Sequence, residues 1–344
     1  MPDSPLYTIR AQAPMRICDI GGWTDTWFAE YGSIFNIAVS PYAQVYINVS
    51  PREEYPHPVR LCVVNFGDVY DYDPATSGWE KHPLLEAAIR RIGIPEDVAV
   101  EITIHCDAPP GGSTGTSAAV TVALIGALDA LTPGRMTPNQ VAATAQAVET
   151  QDLGLQCGIQ DQLCAAHGGI NCIEMSHYPL ASVAQLQLPS AVLAELESRL
   201  ALVYLGKSHQ SSSVHQKVIT QLENDGVDCA PLNELRSLAK SAQVALAAGD
   251  FTAFGAAMRA NTAAQARLHP DLVSEDARRV IAIAQQHGAA GWKVNGAGGD
   301  GGSITLLCEG DATKKQALLR EVLQSKQAFQ TIAIALDSHG LQVW

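Results

Sequence analysis

Apolar and polar positions along the first third of the chain follow the pattern that β-strands require. The segments 7–22 (YTIRAQAPMRICDIGG), 41–51 (PYAQVYINVSP) and 59–66 (VRLCVVNF) are rich in β-branched and aromatic residues and are punctuated by Gly, Pro and Asn. At 98–110 (VAVEITIHCDAPP), Val98, Val100, Ile102 and Ile104 alternate with more polar neighbours, which predicts a half-buried strand. The period changes after Ser117. Val120, Val122, Leu124, Ile125, Leu128 and Leu131 leave almost no polar face, so a helix buried on most sides is expected. Thr137-Pro138 starts another helix, with threonine as N-cap and proline at the first helical position, running to about Thr150. Helical spacing then dominates over 211–224, 230–250, 251–269 and 274–288, with strand-like pieces at 200–206, 301–309 and 331–337. Strands first and mixed elements later predict an α+β chain in two lobes, 1–190 and 191–344. There is no internal repeat and no low-complexity tract.

Composition narrows the partners. The 344 residues are 47% apolar and 17% charged, enough for a sizeable core. A net charge of −13 argues against nucleic acid or an anionic membrane as partner. An anionic ligand therefore needs a local positive site built from helix ends, a metal ion or a few placed basic residues. No apolar run reaches bilayer length, and "MPDSPLYTIR" lacks the basic-then-apolar pattern of a secretory signal. The eight cysteines are scattered without a C-x-x-C pair, so buried free thiols and a cytoplasmic setting are expected.

The candidate chemistry begins at 108–128, APPGGSTGTSAAVTVALIGAL. A turn before a buried helix needs one or two glycines and a cap. Here Gly111, Gly112 and Gly115 stand among the hydroxyls of Ser113, Thr114, Thr116 and Ser117, which points to an anion cradle of backbone N–H groups at a helix N-terminus. A Walker-type loop is excluded, because the "GKS" at 206–208 lacks its upstream glycine: position 201 is alanine. The G-x-G-x-x-G at 296–301 is followed by the strand-like SITLLCE, not by the helix that a dinucleotide site requires.

Three segments in order resemble the GHMP kinase superfamily, which includes galactokinase, homoserine kinase, mevalonate kinase and phosphomevalonate kinase. They are APMRICDIGGWTD (13–25), PPGGSTGTSAA (109–119) and KVNGAGGDGG (293–302). GGWTD, YGSIFNIAVSPYA and CGIQDQLCAAHGGIN are most similar to bacterial kinases of heptose 7-phosphate and to L-fucose kinase-type enzymes. The resemblance implies a two-lobed fold, with a left-handed β-α-β crossover in the N-terminal lobe and a ferredoxin-like C-terminal lobe. It implies transfer of the γ-phosphoryl group of ATP, with Mg²⁺, to the anomeric hydroxyl of a sugar or sugar phosphate, and it allows a homodimer. It places Asp161 at the catalytic aspartate and Arg16 near the reacting hydroxyl. Gly22, Trp23, Thr24 and Asp25 fall at the sugar, and Pro110 to Ser117 at the ATP phosphates. Ser117 and Glu149 stand at the magnesium ligands, and Lys293 and Gly298 support the substrate and nucleotide end. Ser113-Thr114 replace the family's Gly-Leu, and Thr116 replaces a serine.

Each residue also has a plainer reading. Asp161 alone reads as a turn cap, Asp25 as a turn former, Trp23 and Trp27 as core, and His105 and His167 as structural histidines. Glu149 near a helix C-terminus opposes the helix dipole, and Arg16 among apolar strand residues is a costly charge unless paired; both favour a site. A 7-phosphate requires a basic pocket, for which Lys207, Arg10 and Arg259 are candidates. The rival readings are a kinase of another small alcohol or hexose (homoserine, mevalonate, fucose, galactose) and a non-catalytic sensor of ATP and sugar.

Overall fold

The computed structural model describes residues 5–207 and 213–344. An eight-stranded mixed sheet is built from β1 (Tyr7–Ile20), β2 (Gly32–Pro51), β3 (Val59–Val63), β4 (Asp68–Tyr72), β5 (Val98–Cys106), β6 (Ile170–His177) and β7 (Leu180–Gln185), and it is completed by β12 (Gln342–Val343). Its strands run β12-β1-β2-β5-β3-β4, with β6 on β2 and β7 on β6. The second sheet holds β8 (Leu200–Tyr204), β9 (Gly291–Val294), β10 (Ser303–Leu307) and β11 (Gln330–Ile332). Its order β11-β8-β10-β9, antiparallel throughout, is the fourth-first-third-second arrangement of a ferredoxin-like lobe. The helices are α1 (Pro83–Ile92), α2 (Thr116–Asp129), α3 (Pro138–Ala147), α4 (Gln160–His167), α5 (Ser190–Arg199), α6 (Ser213–Asp225), α7 (Ala230–Ala247), α8 (Phe251–Leu268), α9 (Glu275–Gln286) and α10 (Ala312–Ser325). The helix expected over 211–224 begins, among described residues, at Ser213; Ser208, Ser211 and Ser212 lie outside them.

β2 is longer than its alternation suggests. Pro41 cannot donate to a ladder, and the sequence reading therefore begins there. In the structure the register jumps from Pro14↔Tyr42 to Met15↔Val39, so Ser40 and Pro41 bulge out and the strand continues. Its first half, buried on both faces, pairs with β6, and its alternating second half pairs with β5. β3 and β5 are parallel, joined through β4 and α1. Ala118 to Leu128 of α2 are almost all buried, as its all-round apolar sequence requires. All eight cysteines are free thiols, five of them buried. No helix among the described residues is long and apolar enough to cross a membrane.

The expected boundary near residue 190 falls between β7 and α5. All strands of the second sheet follow it, but so does β12 of the first, and the core is continuous across it. Ile17, Ile20, Phe35 and Ile37 of β1 and β2 pack in one cluster with Leu200, Leu202, Phe254 and Met258, and the Phe35 and Phe254 rings meet edge-on at 5.6 Å. The chain end also returns: β12 pairs with β1, and Val39 bridges Leu336.

Candidate active site

A cleft of about 1300 Å³ opens between the glycine loop, α4 and the turn after β1. The loop 109–115 leads into α2, whose N-cap Gly115 (φ +71°) offers no side chain, so among the described residues no side-chain cap closes the first N–H groups of the helix. Two ties hold the loop. Arg16 N donates to Thr114 O at 2.9 Å from β1, and Ser303 Oγ donates to Gly112 O at 2.6 Å from β10. Ser113 adopts φ +55°, a left-handed conformation that glycine takes without strain. That is the consequence of serine standing where the resembling motif has glycine.

Beside the loop stands an ion pair. Arg16 Nε donates to Asp161 Oδ1 at 2.7 Å, and Nη2 to Oδ2 at 3.2 Å; a third nitrogen, Nη1, reaches Ser113 O. Arg16 is buried, whereas 29% of the Asp161 side chain stays exposed toward the cleft. Asp161 is not a turn cap. It lies in the first turn of α4, whose N-cap is Ile159. A Cβ built on Gly115 would sit 3.2 Å from Asp161 Cγ, so the carboxylate and the uncapped helix end are within van der Waals reach.

Asp25 is buried and lines the cleft, but its oxygens are already engaged. Oδ2 accepts from the backbone N–H of Ile159 (3.1 Å) and Gln160 (3.2 Å), making Asp25 a remote cap of α4. Burial and the charge of Asp161 push its carboxyl up to about 6. Glu149 sits in a π-helical turn (Val148–Asp152) that continues α3 past the expected end near Thr150. Its Oε1 accepts from Gln162 Nε2 at 2.7 Å, and burial pushes it up to about 7, with Asp161 adding to the rise. Glu149 and the exposed Ser117 both line the cleft. Their hard oxygen donors fit Mg²⁺, which is held by one or two carboxylates together with substrate phosphates. Among the described residues no group of three or more His, Cys, Asp or Glu is placed to hold a metal on its own.

The cleft wall includes Gly22, Trp23 and Asp25, and also Pro110 to Ser117. Thr24, Lys293 and Gly298 are not among its lining residues. Thr24 Oγ1 donates to Gly21 O within the turn. Lys293 Nζ is buried against Asp19 Oδ1 and Val294 O, with desolvation lowering its pKa. Gly298 packs on Leu272 O and Gln265. Arg10, Arg259 and Lys207 also lie off the cleft: Lys207 pairs with Asp300, and Arg259 donates to Ala290 O. His105 pairs with Asp107 and His167 with Asn139. Sequence reasoning missed Asp19, Gln160 and Gln162. For Asp19 the available signal was a charge amid apolar strand residues, the same argument that selects Arg16.

Residues 83–169 match the GHMP kinases N terminal domain, and residues 242–324 match the GHMP kinases C terminal domain. The chain is 22% identical to a D-glycero-alpha-D-manno-heptose 7-phosphate kinase of Campylobacter jejuni, covering 98% of this chain and 99% of that protein. It is 25% identical to the bifunctional fucokinase/GDP-fucose pyrophosphorylase of Arabidopsis thaliana over 93% of its length, spanning 31% of that longer protein. Among solved structures, a D-glycero-D-manno-heptose 1-phosphate kinase from Bacteroides thetaiotaomicron superimposes with a TM-score of 0.74 at 23% identity, covering 98% of both chains.

Proposed function

Because the chain belongs to the GHMP kinases, we propose that its cleft carries out ATP-dependent phosphorylation of a sugar at the anomeric hydroxyl. The observation that carries this reading is that the Arg16–Asp161 pair is tied by Arg16 to Ser113 O and Thr114 O, at the loop that leads into the N-terminus of α2. Phosphoryl transfer asks a protein to position a hydroxyl and to neutralise spread negative charge, and these two features supply the two needs side by side. The N–H groups of residues 112–117 and the α2 dipole receive the phosphates. Mg²⁺, held by Glu149 and Ser117, supplies further charge neutralisation when bound. Asp161 accepts the hydrogen bond of the sugar hydroxyl and takes its proton as the new O–P bond forms and the bond to ADP breaks. Arg16 fixes the carboxylate through two nitrogens and keeps it turned to the cleft.

The Campylobacter relative makes D-glycero-D-manno-heptose 7-phosphate the first substrate to try. A second reading, an uncharged sugar such as fucose, is favoured by one observation. Among described cleft residues, the lysine and arginine are already paired, Arg16 with Asp161 and Lys81 with Asp68, while Trp23, Trp27 and Phe28 form an aromatic wall.

The test is ATP turnover with Mg²⁺ against heptose 7-phosphate, the free heptose, L-fucose, D-galactose, mevalonate and homoserine, with the product resolved by NMR. A sugar 1-phosphate is expected. Asp161→Asn should then lower kcat by ~10²-fold or more with little change in sugar affinity, and Glu149→Gln should raise the Mg²⁺ concentration needed for half-maximal rate. Near-normal kcat in Asp161→Asn, or nucleotide and sugar binding without turnover in the native protein, would instead support a sensor.

A further inference from the structure

Asp19 Oδ2 is a carboxylate oxygen to which no donor is paired among the described residues. Asp19 stands near the end of β1, three residues beyond Arg16, and is 1% exposed. Its other oxygen, Oδ1, is fully used: it accepts from Gly296 N at 3.1 Å and Lys293 Nζ at 3.4 Å, and lies 3.8 Å from Arg16 Nη1. Oδ2 meets no hydrogen-bond donor among the described residues. The side chain nonetheless forms part of the cleft wall, and a Cβ built on the neighbouring wall residue Gly22 would lie 3.2 Å from Oδ2. Oδ2 is not among the fully enclosed atoms that lack a partner: it is reached from the cleft, and the bare Gly22 keeps the approach to it open.

The surroundings decide what kind of ligand fits. Asp19 and Asp161 lie on the same guanidinium, that of Arg16, and Asp25 adds a third carboxylate to this end of the cleft. A carboxylate oxygen only accepts, so Oδ2 suits a hydroxyl or amine donor and offers nothing to a phosphate oxygen. We propose that Asp19 Oδ2 accepts a hydrogen bond from a sugar hydroxyl other than the one phosphorylated, which makes Asp19 a specificity-determining residue. Lys293, behind it, is the buried counter-charge that positions the carboxylate rather than a contact to substrate. This rests on the sugar-kinase reading above.

The experiment is a cycle between residue and hydroxyl. Kinetics are measured for the native protein, Asp19→Ala and the paired Asp19→Leu/Lys293→Met. The paired variant removes both buried charges together and guards against misfolding from an orphaned lysine. Probes are D-glycero-D-manno-heptose 7-phosphate, L-fucose, D-galactose and the monodeoxy analogues of each. The expected result is a KM for the accepted sugar raised about tenfold or more in the variants, with the KM for ATP unchanged. One monodeoxy analogue should show the same loss on the native protein and no further loss on the variants. Losses that add for every analogue, or an unmoved sugar KM, overturn the proposal while the kinase reading stands. A native protein that phosphorylates none of the sugars overturns that reading, and this inference with it.

Discussion

Asp25 carries opposing demands in one side chain. Its carboxylate caps α4 through two backbone N–H groups, yet burial and Asp161 raise it to about 6 from an ordinary value near 4. Between pH 4 and 6 the folded protein therefore keeps a proton that the unfolded chain has released, so raising the pH across that window weakens the fold. Asparagine does not titrate. The stability of Asp25→Asn relative to the native protein should accordingly improve by on the order of 1–3 kcal/mol from pH 4 to pH 8. Urea unfolding at both values checks this, and an unchanged difference would show that Asp25 does not titrate near 6. Ser113 is a second strained residue. Its φ of +55° favours glycine, and its contact with Arg16 uses only the backbone oxygen. Ser113→Gly should therefore leave stability unchanged or raise it by up to ~1 kcal/mol and preserve the tie to Arg16; a large loss on thermal unfolding would assign a role to the hydroxyl.

At the scale of elements, the two glycine clusters read alike in sequence but differ in use. At the loop before α2, a Cβ on Gly115 would press within 3.2–3.3 Å of Asp161 and Arg16 at φ +71°. Gly115→Ala is expected to cut kcat at least tenfold by displacing that pair, with a cooperative unfolding transition retained; normal kcat would separate the loop from the chemistry. In the cluster 296–302, a Cβ on Gly298 would meet Leu272 O at 2.1 Å and Gln265 Nε2 at 2.6 Å. Gly298→Ala should therefore lose roughly 2 kcal/mol or more of stability, read as a lowered Tm. An unaltered Tm with weakened ATP binding would return Gly298 to the ligand. The helix α4 makes the same point for the acid. Asp161 reads as a turn residue in GIQDQ because no apolar period announces an eight-residue helix, and it gains its orientation from Arg16, 145 residues away.

At the scale of the whole molecule, the lobes share a core. β1 and β2 pack on α8 and β8 through Phe35, Phe254 and their neighbours, and β12 closes the large sheet from the far end of the chain. The prediction is one unfolding transition, with far-UV circular dichroism and tryptophan fluorescence coincident. A fragment of residues 1–190 should lack a cooperative transition, because it exposes Ile17, Ile20, Phe35 and Ile37. Two resolved transitions, or a stably folded fragment, would show independent lobes.

Local pattern determined much of this protein by itself. Strand alternation at 98–106, the all-apolar helix after Ser117, the Thr137 N-cap and the helical second half were legible, because each depends on neighbours within a few residues. So was the family, since its three motifs are contiguous. Tertiary structure alone decided the rest. It carried β2 through Pro41, gave Asp25 to the α4 terminus, paired Asp161 with Arg16, set Lys293 behind Asp19, and left Thr24 and Gly298 off the cleft. Those outcomes turn on which residues distant in sequence are brought within 3–4 Å, and on how much water is excluded there. Burial and long-range pairing set the charge state and direction of a side chain, and neither is encoded in the spacing of the residues beside it.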